Sequence, residues 1–422
     1  MCRRTDSFHG RIFVSTRKTP NTPASPKRAG TKRKLNGSPS VRKVCVVVNS
    51  RANYARIKSV MRAIQRHNRL ELQLVVGASA LLYRYGNVVD LIRADGFEPS
   101  SVVYSIVEGE NPTTMAKSTG MGIIELSSQF ENLQPDIVLT VADRFETMAT
   151  AIAASYMNIP LAHTQGGEVT GSIDESVRHA ITKLSHIHFP ATERAHDYVV
   201  RMGEAPDTVH LTGCPAIDLL VDTDLSLSAN LFDEDRGTGA PLDPSKPYIV
   251  VLQHPVTTEY GSGFDQISAT LEAVDRLDMQ TVWLWPNVDA GSDDVSKGLR
   301  MYREENPEAD VHFYRNFPAE DYARLINNAA ALVGNSSSAL REGAFLGVPA
   351  VNVGTRQQGR EHAANVRHAA YDGAQIERTV REQIEHGRYE SSDMFGDGHA
   401  GVRIANLLAE SEIYIQKQLA YQ

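Results

Sequence analysis

Cysteines and long apolar runs are both scarce in this sequence of 422 residues. The three cysteines, Cys2, Cys45 and Cys214, share no close spacing, which argues against a disulfide framework or a zinc knuckle and fits a reducing cytoplasm. No apolar run approaches the roughly 18 residues that span a bilayer, and the N-terminus lacks the apolar stretch of a secretory signal. These absences predict a cytoplasmic protein without a membrane segment.

Signatures of cofactor and metal chemistry are also missing. The chain contains neither GxxxxGK[ST] nor GxGxxG, so neither a P-loop nucleotide triphosphatase nor a nicotinamide enzyme is indicated. His163, His179, His186 and His188 lie near one another in the sequence, but no HxxxH or His–carboxylate ligand spacing occurs among them. We therefore expect neither a cofactor nor a catalytic metal ion.

Charge is distributed unevenly along the chain. Residues 1–43 carry twelve Lys and Arg against one acid, Asp6, whereas the remainder carries 31 bases and 50 acids. The basic segment is rich in Pro, Ser, Thr and Gly, so residues 1–42 are predicted to form a disordered extension. Its KRAGTKRK run indicates either a nuclear-targeting or nucleic-acid patch or a dispensable tail, and we favour the tail. Because phosphate binding needs a basic face, the acidic body makes a nucleic-acid partner unexpected.

From residue 43 onward, short apolar strand patterns such as KVCVVVN alternate with segments of helical periodicity. This alternation predicts an α/β fold in which parallel sheets are covered by helices on both faces. A polar segment with Gly and Pro interrupts the alternation, which then restarts. The predicted divisions are an N-terminal doubly wound, Rossmann-like domain at 43–220, a linker or exposed excursion at 221–247, a C-terminal Rossmann-like domain at 248–400 and a C-terminal helix at 401–422.

Clusters of polar residues follow the predicted strands. They are NSRANY (49–54), ADRFE (142–146), HTQGGE (163–168), QHPVTTE (253–259), WPNVDAGS (285–292), GNSSSALRE (334–342) and GTRQQGRE (354–361). Because the carboxyl ends of parallel strands converge on one crevice, these clusters predict a single site in the cleft between the domains.

Two of these regions indicate how an anion is bound. GNSSSALREGAFLG is typical of a helix N-terminus, where Ser336 and Ser337 either bind a diphosphate or act as ordinary N-caps. Glu342 follows in the first turns, where it either clamps ribose hydroxyls or satisfies the helix dipole. Arg51 and Arg56 are candidates for phosphate contacts or are solvated surface bases.

Acid–base chemistry is indicated by Asp143, Glu168 and Asp174, which follow two neighbouring strands. Carboxylates that meet in a cleft raise one another's pKa, so that one of them becomes an acid or a base near neutral pH. Alternatively, Asp143 pairs with Arg144 or caps a helix, and Asp174 is the N-cap of the helix that follows.

These motifs together resemble the UDP-N-acetylglucosamine 2-epimerase family, most closely its hydrolysing branch in sialic-acid-type nonulosonate biosynthesis. The resemblance extends from residue 43 to about residue 405. It is carried by SRANY, ADRFE, GGEVTGSIDESVRHAITKLSHIH, TGCPAIDLL, QHPVTTE, PNVDAGS, GNSSSALREGAFLGVPAVNVGTRQQGRE and GDG.

The resemblance implies the glycosyltransferase-B architecture of two Rossmann-like domains, with UDP mainly on the second domain. Catalytic roles are then expected for Asp143, Glu168, Asp174 and His254. Substrate contacts are expected from Arg51, Arg144, Gln165, Asn287, Ser336, Ser337, Glu342 and Arg356. A UDP-sugar is the implied partner, and a homo-oligomer, dimer or tetramer, is expected.

The implied reaction eliminates UDP across C1–C2 of UDP-N-acetylglucosamine to give a 2-acetamidoglucal. Water then adds at C1 while C2 is protonated on the opposite face, which releases N-acetylmannosamine. Because the C2 proton is not acidic, departure of UDP must lead, and a nearby carboxylate must stabilise positive charge at C1.

The sequence departs from the family pattern at two places. The HGD of relatives is Val141-Ala142-Asp143 here, and H-x-E-G-G is His163-Thr164-Gln165-Gly166-Gly167. Gln165 donates and accepts hydrogen bonds but does not take a proton, so either Glu168 takes over this duty or the substrate differs.

Three alternative functions stand beside a hydrolysing UDP-N-acetylglucosamine 2-epimerase. The first is a hydrolysing 2-epimerase of a UDP-2,4-diacetamido-2,4,6-trideoxy sugar in a legionaminic-type pathway. The second is a glycosyltransferase of the same architecture, and the third is a catalytically silent nucleotide-sugar sensor.

Overall fold

The computed structural model describes residues 41–83, 86–228, 231–233, 237–287 and 289–420. Two largely parallel sheets covered by helices form the molecule, as the alternating patterns predict. The predicted disordered extension lies outside the described residues except at positions 41 and 42. Arg42 already belongs to the first strand.

The N-terminal domain is built on a six-stranded parallel sheet. Its elements are β1 (Arg42–Val48), α1 (Arg51–Ala55), α2 (Lys58–Arg66), β2 (Leu70–Gly77), α3 (Val88–Ala94), β3 (Ser101–Val103), α4 (Pro112–Leu133), β4 (Ile137–Val141), α5 (Phe145–Tyr156), β5 (Leu161–Thr164), α6 (Ile173–Leu184), β6 (Ile187–Phe189), α7 (Glu193–Arg201) and α8 (Pro215–Asp222). The strand order is β3-β2-β1-β4-β5-β6. The chain adds β2 and β3 on one side of β1 and then returns to add β4, β5 and β6 on the other side.

The C-terminal domain is built on a seven-stranded sheet. Its strands and helices, followed by the last helix of the chain, are β7 (Gly237–Gly239), β8 (Tyr248–Leu252), α9 (Gly263–Leu277), β9 (Gln280–Leu284), α10 (Ser292–Glu305), β10 (Val311–Tyr314), α11 (Ala319–Asn328), β11 (Ala331–Gly334), α12 (Ser337–Leu340), α13 (Glu342–Leu346), β12 (Ala350–Val353), β13 (Val366–Ala369), α14 (Gly373–His386) and α15 (Ala400–Glu410). The order is β13-β12-β11-β8-β9-β10-β7, and only β7 among these strands runs antiparallel to its neighbour.

Burial explains why the strands are continuously apolar instead of alternating. Along β1, Val44, Val46 and Val48 belong to one core cluster, whereas Cys45 and Val47 belong to the cluster on the other face of the sheet. Helices therefore cover both faces, and the polar ends of the strands are the part of the sheet left for function.

Two predicted segments differ from the structure. In the excursion at 221–247, Leu231 is fully buried in the C-terminal core and Gly237–Gly239 extends the sheet, so its described parts are not a simple exposed linker. The helix predicted at 401–422 ends at Glu410, where Arg42 donates to the carbonyl oxygens of Leu408 and Ser411. This helix crosses back and packs against α2 and α8 of the N-terminal domain.

No helix in the described ranges is both long enough and apolar enough to cross a membrane.

Candidate active site

A cavity of about 270 Å³ lies between the carboxyl ends of the two sheets. Nine of the predicted site residues line it: Arg51, Asp143, Arg144, His254, Asn287, Ser336, Ser337, Glu342 and Arg356. Three others do not line it. Gln165 and Glu168 lie on the loop after β5, and Asp174 lies in the first turn of α6.

Two arginines of the N-terminal domain line the cavity and contact only neutral acceptors among the described residues. Arg51 donates to the carbonyl oxygen of Arg315 at 2.7 Å and to Oδ1 of Asn316 at 3.2 Å. Arg56 donates to Oγ of Ser337 at 2.6 Å. Burial lowers the pKa of both guanidinium groups, because each is desolvated without a contacting carboxylate. This wall therefore favours an anionic ligand.

Ser336 and Ser337 form the opposite wall directly after β11. The Ser336 hydroxyl accepts a hydrogen bond from the backbone N–H of Ser338 at 3.3 Å, so Ser336 is an N-cap. The helix that it caps has only four residues, and the chain turns again at Arg341 before α13. The wall consequently offers hydroxyl groups next to Arg56 instead of the end of a long helix.

Glu342 presents an unsatisfied oxygen at this wall. Its Oε2 atom is buried and has no hydrogen-bond partner among the described residues. A buried carboxylate oxygen without a donor costs free energy, and a ligand hydroxyl would satisfy it. The geometry is therefore compatible with the ribose contact that the resemblance implies.

Arg144 connects the two domains beside the cavity. Its Nε lies 3.1 Å from Oε2 of Glu146, and its Nη1 lies 2.8 Å from Oδ1 of Asp289 in the C-terminal domain. Burial alone would lower the pKa of Arg144, but the charges of Asp289 and Glu146 raise it. Arg144 is thus neutralised by acids, unlike Arg51 and Arg56.

Asp143 and Asp174 are two carboxylates whose surroundings shift their pKa values in opposite directions. Burial opposes ionisation of Asp143, yet the contacting Arg178 guanidinium and the charge of Arg56 hold its pKa well below the ordinary value. Burial and the charge of Asp143 raise the pKa of Asp174, against the influence of Arg356, whose Nη2 lies 3.6 Å away. Such a pair supplies a permanent negative charge beside a group that exchanges protons.

His254 is held as a neutral imidazole. The backbone N–H of Asn287 donates to its Nδ1 at 3.1 Å, which places the ring proton on Nε2. Burial, together with the positive charges of Arg356 and Arg51, lowers its pKa well below the ordinary value. In this tautomer Nε2 donates a hydrogen bond and has no free electron pair for a proton.

The backbone turn that presents Asp143 is strained. Ala142 has φ +62°, a left-handed conformation that costs a residue with a Cβ about 1–2 kcal/mol. Its carbonyl oxygen accepts a hydrogen bond from Nε2 of His163 at 2.7 Å. Burial lowers the pKa of His163 to about 3, so the ring is neutral. A histidine on the neighbouring strand β5 therefore anchors the turn in which Val141 and Ala142 replace the histidine and glycine of the family pattern.

Glu168 joins the domains at a buried contact away from the cavity. Its carboxylate contacts Arg341, at 2.5 Å, and Arg360, both from the C-terminal domain. Burial opposes its ionisation, but the charges of Arg341, Arg360 and Arg178 hold its pKa at about 2. A carboxylate committed in this way is poorly suited to exchange protons near neutral pH.

Gln165 is buried beneath the site. It adopts φ +61°, and its Nε2 donates to Sγ of Cys214 at 3.3 Å. Its Oε1 is buried without a partner in the described part of the chain. The structure therefore places this amide against the start of α8 instead of in the cavity wall.

The sequence patterns did not identify two residues that contact the predicted site residues Asp143 and Arg144. Arg178 lies four positions after Asp174 on α6, and Asp289 lies in the polar cluster that follows β9. The position of Asp289 in a polar cluster after a strand was a signal in the sequence that it belongs to the site. The contact of Arg178 with Asp143 depends on how α6 docks beside β4, which local sequence does not reveal.

The chain is similar to known proteins over most of its length. The family described as UDP-N-acetylglucosamine 2-epimerase matches residues 62–409. The UDP-N,N'-diacetylbacillosamine 2-epimerase (hydrolyzing) of Legionella pneumophila is 32% identical over 376 residues, which cover 89% of this chain and 98% of the relative. The UDP-N-acetylglucosamine 2-epimerase of Neisseria meningitidis is 28% identical over 361 residues, which cover 85% of this chain and 92% of the relative.

A solved structure supports the fold. The UDP-GlcNAc 2-epimerase from Neisseria meningitidis bound to UDP-GlcNAc has a TM-score of 0.73 at 19% identity, covering 87% of this chain and 100% of that chain. This similarity and the two sheets confirm the predicted pair of Rossmann-like domains in the glycosyltransferase-B arrangement. The chain belongs to the UDP-N-acetylglucosamine 2-epimerase family.

Proposed function

We propose that the protein is a hydrolysing 2-epimerase that converts UDP-N-acetylglucosamine and water into N-acetylmannosamine and UDP. One observation carries the proposal: Arg51 and Arg56 line the cavity without a contacting carboxylate in the described structure, beside Asp143, which Arg178 keeps ionised. A diphosphate neutralises the two arginines. The ionised carboxylate stabilises the positive charge that develops on the sugar as the diphosphate leaves.

The diphosphate binds between the domains in this proposal. Arg51 and Arg56 contact its oxygens from one side, and the hydroxyls of Ser336 and Ser337 contact them from the other. Glu342 accepts hydrogen bonds from the ribose. The side chains of Arg144, Asn287 and Arg356 complete the wall of the binding site. The neutral Nε2–H of His254 donates a hydrogen bond to the leaving oxygen, which accumulates negative charge as the bond breaks.

In the first step, the bond between C1 and the diphosphate oxygen breaks, and its electron pair leaves with UDP. The electrons of the C2–H bond form the C1=C2 double bond, and the C2 proton passes to Asp174, which lies 3.6 Å from the wall residue Arg356. Asp174 is suited to this transfer because its pKa is raised, whereas Asp143 remains ionised and stabilises C1. The product of this step is 2-acetamidoglucal.

In the second step, a water molecule adds across the double bond. Its hydroxyl group bonds to C1, and a solvent-derived proton bonds to C2 on the face opposite to the one deprotonated. Asp143 again stabilises positive charge at C1, and Asp174 returns its proton to solvent. The sum of the two steps is hydrolysis with inversion at C2.

A second candidate substrate is a UDP-2,4-diacetamido-2,4,6-trideoxy sugar. It is supported by the Legionella relative, which is named for UDP-N,N'-diacetylbacillosamine.

The rate of UDP release from each UDP-sugar, measured without any acceptor, tests the proposal. We expect release from one of the two substrates, and the larger kcat/KM identifies the preferred sugar. Release only after an acceptor sugar is added would instead indicate a glycosyltransferase. Binding of both UDP-sugars without release would indicate a sensor.

A further inference from the structure

The last described segment of the chain, residues 411–420, lies against the N-terminal domain as a non-helical strap. It follows α15 and contacts the region where α6, β6 and α7 meet. The backbone N–H of Ala420 donates to the carbonyl oxygen of Gly203 at 2.9 Å, just after α7. The strap is therefore attached along its length.

Lys417 makes the most concentrated set of contacts in the strap. Its Nζ donates to the carbonyl oxygens of Thr182 at 3.0 Å and Lys183 at 2.9 Å, which belong to the last turn of α6. The same atom lies 2.6 Å from Oε2 of Glu204. A cation that satisfies the last carbonyls of a helix stabilises that end of the helix.

The charges around Lys417 are balanced within a buried cluster. Glu204 is almost fully buried and also contacts Lys183 at 2.5 Å and His188 at 3.1 Å. Burial opposes ionisation of Glu204, but hydrogen bonds from His188, Lys183 and Lys417 hold its pKa at about 2. Burial lowers the pKa of Lys417 to about 8, although Glu204 acts in the opposite direction. Removing Lys417 therefore changes both the helix end and its carboxylate partner.

A second set of contacts reaches the neighbouring strand. Nε2 of His186 lies 3.0 Å from the carbonyl oxygen of Ile415, and Nδ1 of the same ring accepts from the backbone N–H of Leu161 at the start of β5. The Tyr414 ring meets His186 edge to face, with ring centroids 5.2 Å apart. The strap thus contacts α6 directly and reaches the start of β5 through the ring of His186.

The anchored helix carries the proton-transfer machinery of the proposed reaction at its other end. α6 has twelve residues, a length of about 18 Å, with Asp174 in its first turn and Arg178 one turn later. Arg178 contacts Asp143 and donates to the carbonyl oxygen of Glu168 at 2.6 Å. Because a helix moves as a rigid rod, its fixed C-terminal end limits the tilt of the end that bears Asp174.

We propose that the strap at 411–420 is a positioning element for catalysis, and that Lys417 is a positioning residue that holds α6 so that Asp174 lies at the correct distance from the sugar. This inference rests on the proposed function. The diphosphate contacts come from Arg51, Arg56 and the C-terminal domain, so loss of Lys417 affects the chemical step and leaves binding of UDP intact.

The test compares three variants of the full-length chain. Lys417→Met keeps the length of the side chain and removes its donors, Lys417→Arg restores donors, and Lys246→Met removes an exposed lysine of the other domain as a control. For Lys417→Met we expect kcat to fall about 10- to 100-fold, the effect of a small misplacement, while KM changes less than about twofold. Lys417→Arg should recover a large part of kcat, and Lys246→Met should behave as the wild type.

Amide hydrogen exchange provides a readout that does not depend on activity. We expect exchange of the last turn of α6 to increase about tenfold in Lys417→Met, with α4 and the C-terminal domain unchanged. If the wild type turned over neither UDP-sugar, the proposed function would fail. Increased exchange in Lys417→Met would then still show that Lys417 holds the end of α6. Unchanged exchange in α6 together with unchanged kcat would overturn the inference. A uniform increase throughout the N-terminal domain would also overturn it, because Lys417 would then support global stability only.

Discussion

At the level of single residues, charge in the cavity is governed by which arginines have acidic partners. Arg144 contacts two carboxylates, whereas Arg51 and Arg56 contact carbonyl, amide and hydroxyl oxygens. A partly desolvated cation without a contacting counter-ion costs the free enzyme stability and increases the affinity for a ligand that supplies the missing charge. These two arginines therefore connect stability with binding.

Replacing Arg56 tests this connection. Arg56→Met should weaken UDP binding about 10- to 100-fold, since a charge-assisted hydrogen bond to phosphate contributes about 1.5–3 kcal/mol. The melting temperature of the free protein should stay the same or rise, because a partly desolvated cation without a contacting carboxylate is removed. Calorimetric titration with UDP and thermal unfolding measure the two effects. The control is Arg381→Met, an exposed arginine paired with Glu377 on α14, which should leave binding unchanged. A large loss of stability in Arg56→Met would argue that its role is structural.

The pH dependence of the rate tests the pairing of Asp143 with Asp174. Asp174 has to be ionised to accept the C2 proton, so activity should fall as pH decreases through its raised pKa. Asp289→Asn removes a negative charge near Asp174 and frees Arg144, and both changes lower the pKa of Asp174. The acidic limb of kcat should therefore move to lower pH in this variant. A limb that stays in place, or moves upward, would remove Asp174 from the proton-transfer step.

Site residues that follow strands could be predicted from the sequence, because topology alone brings strand ends together. Arg51, Asp143 and His254 are examples, and all three line the cavity. The orientation of Gln165 could not be predicted, since it depends on a left-handed backbone and on contact with Cys214. The ion pairs of Glu168 with Arg341 and Arg360 could not be predicted either, because they depend on how the two domains dock.

At the level of elements, α4 shows how packing overrides local propensity. This helix of 22 residues contains several Ser and Thr and two glycines, which weaken its helical pattern in the sequence. Asn111 caps its start and Pro112 occupies its first position. Gly122 allows α4 to approach α5, since a Cβ there would lie 2.9 Å from Cβ of Ala149. The sequence therefore predicts the strands around α4 better than α4 itself.

The two glycines of α4 provide a matched pair of variants. A Cβ at Gly120 would meet nothing within 4 Å, so Gly120→Ala should stabilise the protein by about 0.5–1 kcal/mol. Gly122→Ala should destabilise it by about 1–3 kcal/mol through overpacking against Ala149. Denaturant unfolding measures both free energies. Equal effects of the two substitutions would contradict the close approach of α4 and α5.

At the level of the whole molecule, charged contacts join the two domains both at the cavity and away from it. Arg144 with Asp289 forms one contact, and Glu168 with Arg341 and Arg360 forms another. The sequence predicts two such domains and a cleft between them, because the alternation of strands and helices starts twice. It does not predict the ion pairs, which arise only when the domains meet.

The ion pairs of Glu168 should make the stability of the protein depend on pH. Its pKa of about 2 lies below the ordinary value near 4.3, so its ion pairs contribute stability above about pH 4 that is lost as pH falls through 2. Glu168→Gln should lower the free energy of unfolding at pH 7 by about 3–5 kcal/mol, because Arg341 and Arg360 remain buried without their partner. The difference from the wild type should shrink below about pH 4. Glu410→Gln, which breaks an exposed pair with Arg69, should cost less than about 1 kcal/mol.

The reaction itself is tested most directly by NMR of UDP-N-acetylglucosamine, or of the diacetamido sugar that proves to be the better substrate, incubated with the enzyme in D2O without an acceptor. We predict release of UDP together with free sugar of inverted configuration at C2 that carries one deuterium at C2, because elimination removes the original proton and solvent supplies the new one. Free sugar that retains its C2 proton and configuration would contradict the account, as would the absence of UDP release from both substrates.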